Sequence, residues 1–133
     1  MSKKISFAEK TILITGAAGF IGWYLAKRVC EENPKAKVIG FDSVNNYYDV
    51  KLKEYRLKDL EQYKNFTFIK GNLADKVAVN KVFEKYHPEI VVNLAAQAGV
   101  RYSIEHPDAY IEANLVGFYN ILEACRKYQP EHL

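Results

Sequence analysis

The chain has 133 residues, 49% of them hydrophobic and 26% charged, with 19 Lys+Arg against 16 Asp+Glu and a net charge of +3. This size and apolar share suit one globular domain, and 14% aromatic content excludes a disordered chain. No window of about 20 mostly apolar residues offers a membrane span, and the dispersed positive charge is too small to indicate a nucleic-acid surface.

Short apolar runs alternate with longer amphipathic segments, the pattern of repeated βα units around a parallel sheet. Residues 11–15 are a β-branched run stopped by Gly16, hence a buried strand. Residues 20–32 form a helix on which Ile21, Leu25 and Val29 recur at i, i+4 and i+8. A second strand at 38–42 ends on an acid, Asp42, and a weakly amphipathic helix follows at 50–60. Its Lys51, Lys53, Arg56 and Lys58 read as a solvated face. Residues 66–70 alternate more and predict a strand nearer the sheet edge. Asp75 is placed to N-cap a third helix, whose Val82, Phe83 and Tyr86 face inward before Pro88 stops it. Residues 90–96 are continuous enough for a strand covered on both faces. Pro107 suits the first turn of a last helix, with Ile111, Leu115, Phe118, Leu122 and Cys125 as its apolar stripe.

Gly16-Ala17-Ala18-Gly19-Phe20-Ile21-Gly22 lies between the first strand and the first helix. Gly16 allows a tight exit from the strand, Gly19 lets backbone approach a pyrophosphate, and Gly22 lets the helix pack closely on the sheet. The free N–H groups and positive end of the helix then face the phosphates. An acid about 20 residues on is needed for a ribose 2′-hydroxyl, and Asp42 stands there. A carboxylate repels a 2′-phosphate, and the next residues, Ser43, Val44 and Asn45, are not basic, so NAD is expected rather than NADP. The expected fold is α/β, a Rossmann-like doubly wound parallel sheet that stops after the fourth strand and fourth helix.

The Gly-x-x-Gly-x-x-Gly spacing resembles the extended short-chain dehydrogenase/reductase family. So do Gly71-Asn72-Leu73-Ala74-Asp75, the stretch 93–98 and the stretch 114–124. Residues 96–103 (AQAGVRYS) together with 42–49 (DSVNNYYD) are similar to nucleotide-sugar 4-epimerases, especially UDP-glucuronate 4-epimerases. The resemblance implies that Gly16, Gly19, Phe20, Ile21 and Gly22 cradle the pyrophosphate and that Asp42 and Asn45 meet the adenosine ribose. Asn72 and Leu73 would flank adenine, with Asn72 standing where the family usually has Asp. Leu94, Ala95 and Ala96 would pass the nicotinamide side, and Asn114 would support the site. Gln97, Arg101 and Ser103 would border the sugar pocket. Arg101 reads equally as a solvated loop arginine, and Asn114 as a buried amide bonding backbone.

The resemblance also implies an isomerase: reversible hydride transfer at sugar C4 through a 4-keto intermediate. The family uses Ser/Thr and a Tyr-x-x-x-Lys pair that follow a fifth strand. On that expectation residues 1–133 are the NAD-binding portion, with no substrate domain, no catalytic residue and no activity alone. The alternatives are a self-standing, non-catalytic NAD-binding module, or the cofactor half of a related dehydratase or decarboxylase. The Tyr47–Lys51 pair has the catalytic spacing but follows the ribose acid, so it is expected near adenosine and not in catalysis. Residues 1–10 carry basic residues but no apolar run of a secretory signal. The expectation is therefore a cytoplasmic protein whose Cys30 and Cys125 are reduced helix fillers. His87, His106 and His132 lack metal-ligand spacing, so no metal is expected. Expected partners are a UDP-sugar in the full-length enzyme and a second copy, since an uncovered fourth strand invites pairing; no nucleic acid or membrane is expected.

Overall fold

The computed structural model describes residues 4–133. Strands and helices alternate as the βα pattern requires: β1 (Thr11–Thr15), α1 (Phe20–Glu32), β2 (Lys37–Asp42), α2 (Val50–Glu61), β3 (Phe66–Lys70), α3 (Lys76–Tyr86) and β4 (Ile90–Asn93). Then come α4 (Val100–Glu105), α5 (Pro107–Tyr110), a π-helical stretch (Ile111–Val116) and α6 (Gly117–Tyr128). The strands pair in parallel in the order β3-β2-β1-β4, with Ile12 opposite both Val38 and Ile90. The fold is Rossmann-like, and β3 is an edge strand as its alternating pattern predicts. The chain order reverses beside β1, which opens a crevice at the carboxyl ends of β1 and β4.

Successive strand residues point to opposite faces, and helices cover both. Ile12, Ile14, Val38 and Ile90 pack with Ala26 and Val29 of α1 and Leu60 of α2. Leu13, Ile39 and Val91 pack with Val79, Val82 and Phe83 of α3 and Ile121 and Ala124 of α6. Asp75 caps α3 as expected, its side chain accepting from Ala78 N. No helix of the described residues is long and apolar enough to cross a membrane.

Helix α3 turns Val82, Phe83 and Tyr86 inward as its periodicity predicts, whereas α6 turns a different face inward and α1 is rotated in part, keeping Val29 buried and Leu25 packed on the core. On α1 the buried residues are Gly22, Ala26, Val29 and Cys30, while Ile21 is 67% exposed. Gly22 sets this rotation: a Cβ there would strike the Gly16 carbonyl, reaching its carbon at 2.8 Å, so only this face can approach the turn so closely. On α6 the buried residues are Gly117, Asn120, Ile121 and Ala124, whereas Ile111, Leu115, Phe118 and Leu122 are exposed and Cys125 is half-buried. Gly117 lies against Leu73, and Asn120 donates to the Leu73 carbonyl at 2.7 Å. A small residue and an amide therefore orient α6, not its largest apolar side chains.

β4 ends at Asn93, three residues before the predicted limit. The amides of Leu94 and Ala95 donate to Thr15 Oγ1 at 3.0 and 3.1 Å, which draws the chain out of the sheet ladder. The outer edge of β4 is partly covered. Ile90 forms a parallel bridge with His132, and Val91 N donates to the His132 carbonyl at 2.9 Å.

Candidate functional site

A cavity of about 160 Å³ lies at the carboxyl ends of β1, β2 and β4. Its floor is the turn that begins at Gly16. Gly16 has φ +73°, and a Cβ there would fall 2.9 Å from Ala95 N, so glycine is required on both counts. Gly16 N donates to the Phe41 carbonyl at 2.8 Å, and Gly19 N closes the turn on the Gly16 carbonyl at 3.0 Å. α1 then starts with no side-chain cap and no acid in its first turn. The first-turn amides of Phe20, Ile21 and Gly22 have no partner within the helix. That arrangement suits an anion.

Of the five glycine-turn residues expected to cradle a pyrophosphate, Gly16 and Gly19 line the cavity. Phe20 and Ile21 do not line it, and both are exposed, at 69% and 67%. Gly22 works through helix-to-strand packing.

Asp42 lines the cavity with both carboxylate oxygens anchored: Oδ2 accepts from Ala18 N at 2.9 Å and Oδ1 from Val44 N at 2.8 Å. Beside it stands Lys53, only 7% exposed, donating to the Asn45 carbonyl and Oδ1 at 2.9 Å each. The expected solvated face of α2 is corrected here. Lys53 lies on the inner face with Leu57 and Leu60, and Arg56 donates to the Ala18 carbonyl at 3.1 Å; Lys51 and Lys58 are exposed. Burial pulls the Lys53 ammonium below its ordinary pKa, Asp42 opposes that shift, and Arg56 adds to it. The signal was the i, i+4, i+7 spacing of Lys53, Leu57 and Leu60, masked by the neighbouring cations.

Asn72 and Leu73, expected to flank adenine, line the cavity after β3. Asn72 Oδ1 accepts from Ala74 N at 2.9 Å, which leaves the amide protons for a ligand. Asn45, Leu94, Ala95, Ala96 and Gln97 line it as well. Asn114 does not. It clamps the loop after β4 instead: its Oδ1 accepts from Gln97 N at 2.8 Å and its Nδ2 donates to the Gln97 carbonyl at 3.1 Å. Arg101 and Ser103 lie on α4 outside the cavity, with Ser103 Oγ donating to the Val100 carbonyl.

Tyr47, expected beside the ribose acid, lines the cavity, and so does Tyr48, which sequence reading missed. Tyr47 packs against Tyr48 and Tyr102, each with ring centroids 4.6 Å away, and its hydroxyl meets Gly99, whose φ of +96° suits only glycine. The loop after β2 is thereby strapped to the loop after β4. Burial pushes the Tyr47 hydroxyl above the ordinary tyrosine pKa, the neighbouring tyrosines add to this, and Lys51 is exposed. Both facts oppose a tyrosinate base. Burial likewise lifts the Cys30 thiol to about 11 and raises Cys125. Among the described residues no three His, Cys, Asp or Glu side chains gather as metal ligands.

A parallel βα sheet with a glycine turn, an uncapped helix and an acid at its switch point defines a Rossmann-like dinucleotide fold. Residues 13–132 match the family described as GDP-mannose 4,6 dehydratase, and the chain belongs to that family. It is 55% identical over 122 residues to Protein CapI of Staphylococcus aureus, covering 92% of this chain and 36% of that protein. It is 41% identical over 121 residues to the UDP-glucuronate 4-epimerase of Thermodesulfobacterium geofontis, covering 91% and 37%. Among solved structures it matches UDP-glucuronic acid 4-epimerase from Bacillus cereus in complex with UDP-glucuronic acid and NAD. That match has a TM-score of 0.78 and 32% identity, covering 87% of this chain and 36% of the other. The chain thus spans a little over a third of these relatives.

Proposed function

We propose that this chain binds NAD and forms the cofactor-binding portion of a UDP-sugar 4-epimerase acting on UDP-glucuronate. The observation that carries the reading is the single cavity joining Gly16 and Gly19, Asp42 and Asn45, Asn72, and Leu94–Gln97. In this reading the first-turn amides of α1 hold the diphosphate. Asp42 and Asn45 hold the adenosine ribose, and the Asp42 carboxylate disfavours a 2′-phosphate. Asn72 and Leu73 meet adenine, while Leu94–Ala96 bound the nicotinamide side and exclude water there. Gln97, fixed by Asn114, faces the sugar, and Arg101 and Ser103 border the sugar once it is bound. NAD, when bound, supplies reversible hydride acceptance at sugar C4. In the resembled family the Ser/Thr and Tyr-x-x-x-Lys set follows a fifth strand. Here Tyr47 of the cavity has its spaced lysine, Lys51, exposed and its hydroxyl pKa raised, so in this reading the chain alone binds without turning over.

Isothermal titration of the 133-residue chain with NAD and NADP tests the reading. Saturable NAD binding with weaker NADP binding is expected. A folded chain that fails to bind NAD refutes it. The family's dehydratase description supports a second reading, because a 4,6-dehydratase needs the same cofactor portion. Product analysis of the longer protein separates the two: a C4 epimer supports the first, and a 4-keto-6-deoxy sugar the second.

A further inference from the structure

We infer that Arg56 is a positioning residue for the dinucleotide diphosphate, reaching from α2 to hold the glycine turn from behind. The inference rests on the NAD-binding reading above. The Ala18 residue sits between Gly16 and Gly19 and is held at both of its polar groups. Its N–H donates to Asp42 Oδ2 at 2.9 Å, and its carbonyl accepts from Arg56 Nη1 at 3.1 Å. Because a peptide unit is planar, fixing the Ala18 carbonyl also fixes the direction of the Gly19 N–H, which closes on the Gly16 carbonyl at 3.0 Å. The next three amides, Phe20 to Gly22, then leave the turn in one set direction. They are the uncapped donors at the start of α1.

The guanidinium is itself held in place. Its central carbon lies 5.9 Å from the Phe20 ring centroid and 6.0 Å from that of Trp23. Trp23 in turn donates through Nε1 to Asp59 Oδ2 at 2.9 Å. Asp59 is one helical turn beyond Arg56, so α2 grips the first two turns of α1 at two points. A delocalised positive charge therefore rests beside the positive end of α1, whose first turn carries no acid, while Asp42 holds the neighbouring Ala18 N–H. Both effects favour a diphosphate. Arg56 makes no hydrogen bond to Asn72, Asp42 or Asn45, the groups that meet adenine and its ribose in the NAD-binding reading.

The test compares Arg56→Ala and Arg56→Lys with the parent chain against NAD, ADP-ribose and adenosine. Intrinsic fluorescence provides the titration signal, since Trp23 is the single tryptophan. Losing a charge-assisted contact predicts that Arg56→Ala weakens NAD and ADP-ribose about tenfold or more. Adenosine, which lacks phosphate, should bind unchanged, and that unchanged binding also shows that the variant is folded. Arg56→Lys, which keeps a donor and a charge, should recover most of the loss. Equal weakening of all three ligands would make Arg56 a merely structural residue and overturn the inference. So would undiminished NAD affinity in Arg56→Ala. A parent chain that binds none of the three would overturn the NAD-binding reading and this inference with it.

Discussion

Gly19 and Gly22 share one turn but answer to different demands, and alanine at each should separate stability from ligand binding. A Cβ on Gly22 would strike the Gly16 carbonyl and come within 2.8 Å of its carbon and 3.1 Å of the Ala17 Cα. All of these are backbone atoms of the sheet exit, so α1 itself must move. Overpacking of this kind costs about 3 kcal/mol, and alanine's better helix propensity returns about 1 kcal/mol. The net destabilisation is about 2 kcal/mol, a melting point lower by roughly 6–10 °C for a domain of this size. Gly19 differs. Its φ of −74° and ψ of 167° are open to any residue, and an added Cβ meets only the Gly16 carbonyl oxygen at 3.1 Å. Its loss as an N-cap is offset by lower unfolded-state entropy, so Gly19→Ala should melt within about 1 kcal/mol of the parent. Yet Gly19 lines the cavity, and a methyl there occupies the approach path of a diphosphate. Thermal melts followed by Trp23 fluorescence and calorimetric NAD titration measure both effects. A Gly22→Ala chain that melts like the parent, or a Gly19→Ala chain that binds NAD undiminished, would refute the reasoning.

Asn114→Leu removes both bonds to Gln97 and leaves its N–H and carbonyl unpaired; urea unfolding should show a loss of about 2 kcal/mol. Lys53→Met releases Asn45. NAD affinity should fall about tenfold in calorimetry, while stability changes by less than about 1 kcal/mol because a buried charge is removed as well. Gly99→Ala forces a left-handed backbone on a residue with a Cβ and collides with the Tyr47 hydroxyl, so Tyr47 must leave its place; near-UV circular dichroism should lose tyrosine signal. The Trp23 indole donor, followed by Lys27 and Gln62, holds the Asp59 carboxyl below its ordinary 3.8 despite opposing desolvation. Asp59 therefore stabilises fully at neutral pH, and its contribution disappears as acid drives the pH below 3.8 and through the depressed folded value. Asp59→Asn should flatten that part of the acid-unfolding curve.

The strands were legible because each is a β-branched run bounded by a turn residue, and β1 and β3 begin and end where that pattern predicts. The face of α3 was legible too, with Val82 and Phe83 buried and Tyr86 packed on the core, but those of α1 and α6 were not fully so. A hydrophobic period counts large side chains, whereas close approach is decided by the residues with least bulk, Gly22 on α1 and Gly117 on α6. The glycine turn and Asp42 were legible because a dinucleotide demands particular residue types at a set spacing. Lys53 and Tyr48 were harder to read, and Tyr47 was expected near adenosine but without its contacts to Gly99 and Tyr102. Lys53 has a local signal in its spacing to Leu57 and Leu60, masked by neighbouring cations, whereas the tyrosine contacts follow from how the loop after β2 folds back across the sheet end.

The π-helical stretch from Ile111 to Val116 acts as a phase shift within one long helix. Each residue of an α-helix turns it by about 100°, so a turn that takes in one residue more re-aims everything after it. Asn114 reaches Gln97 from within this stretch, while Asn120 and Gly117 meet Leu73 from beyond it. Deleting one residue between them would restore a plain α-helix but leave one of these two anchorages pointing away. The wide turn is therefore what lets a single helix brace both ends of the crevice, one through Leu73 after β3 and the other through Gln97 after β4.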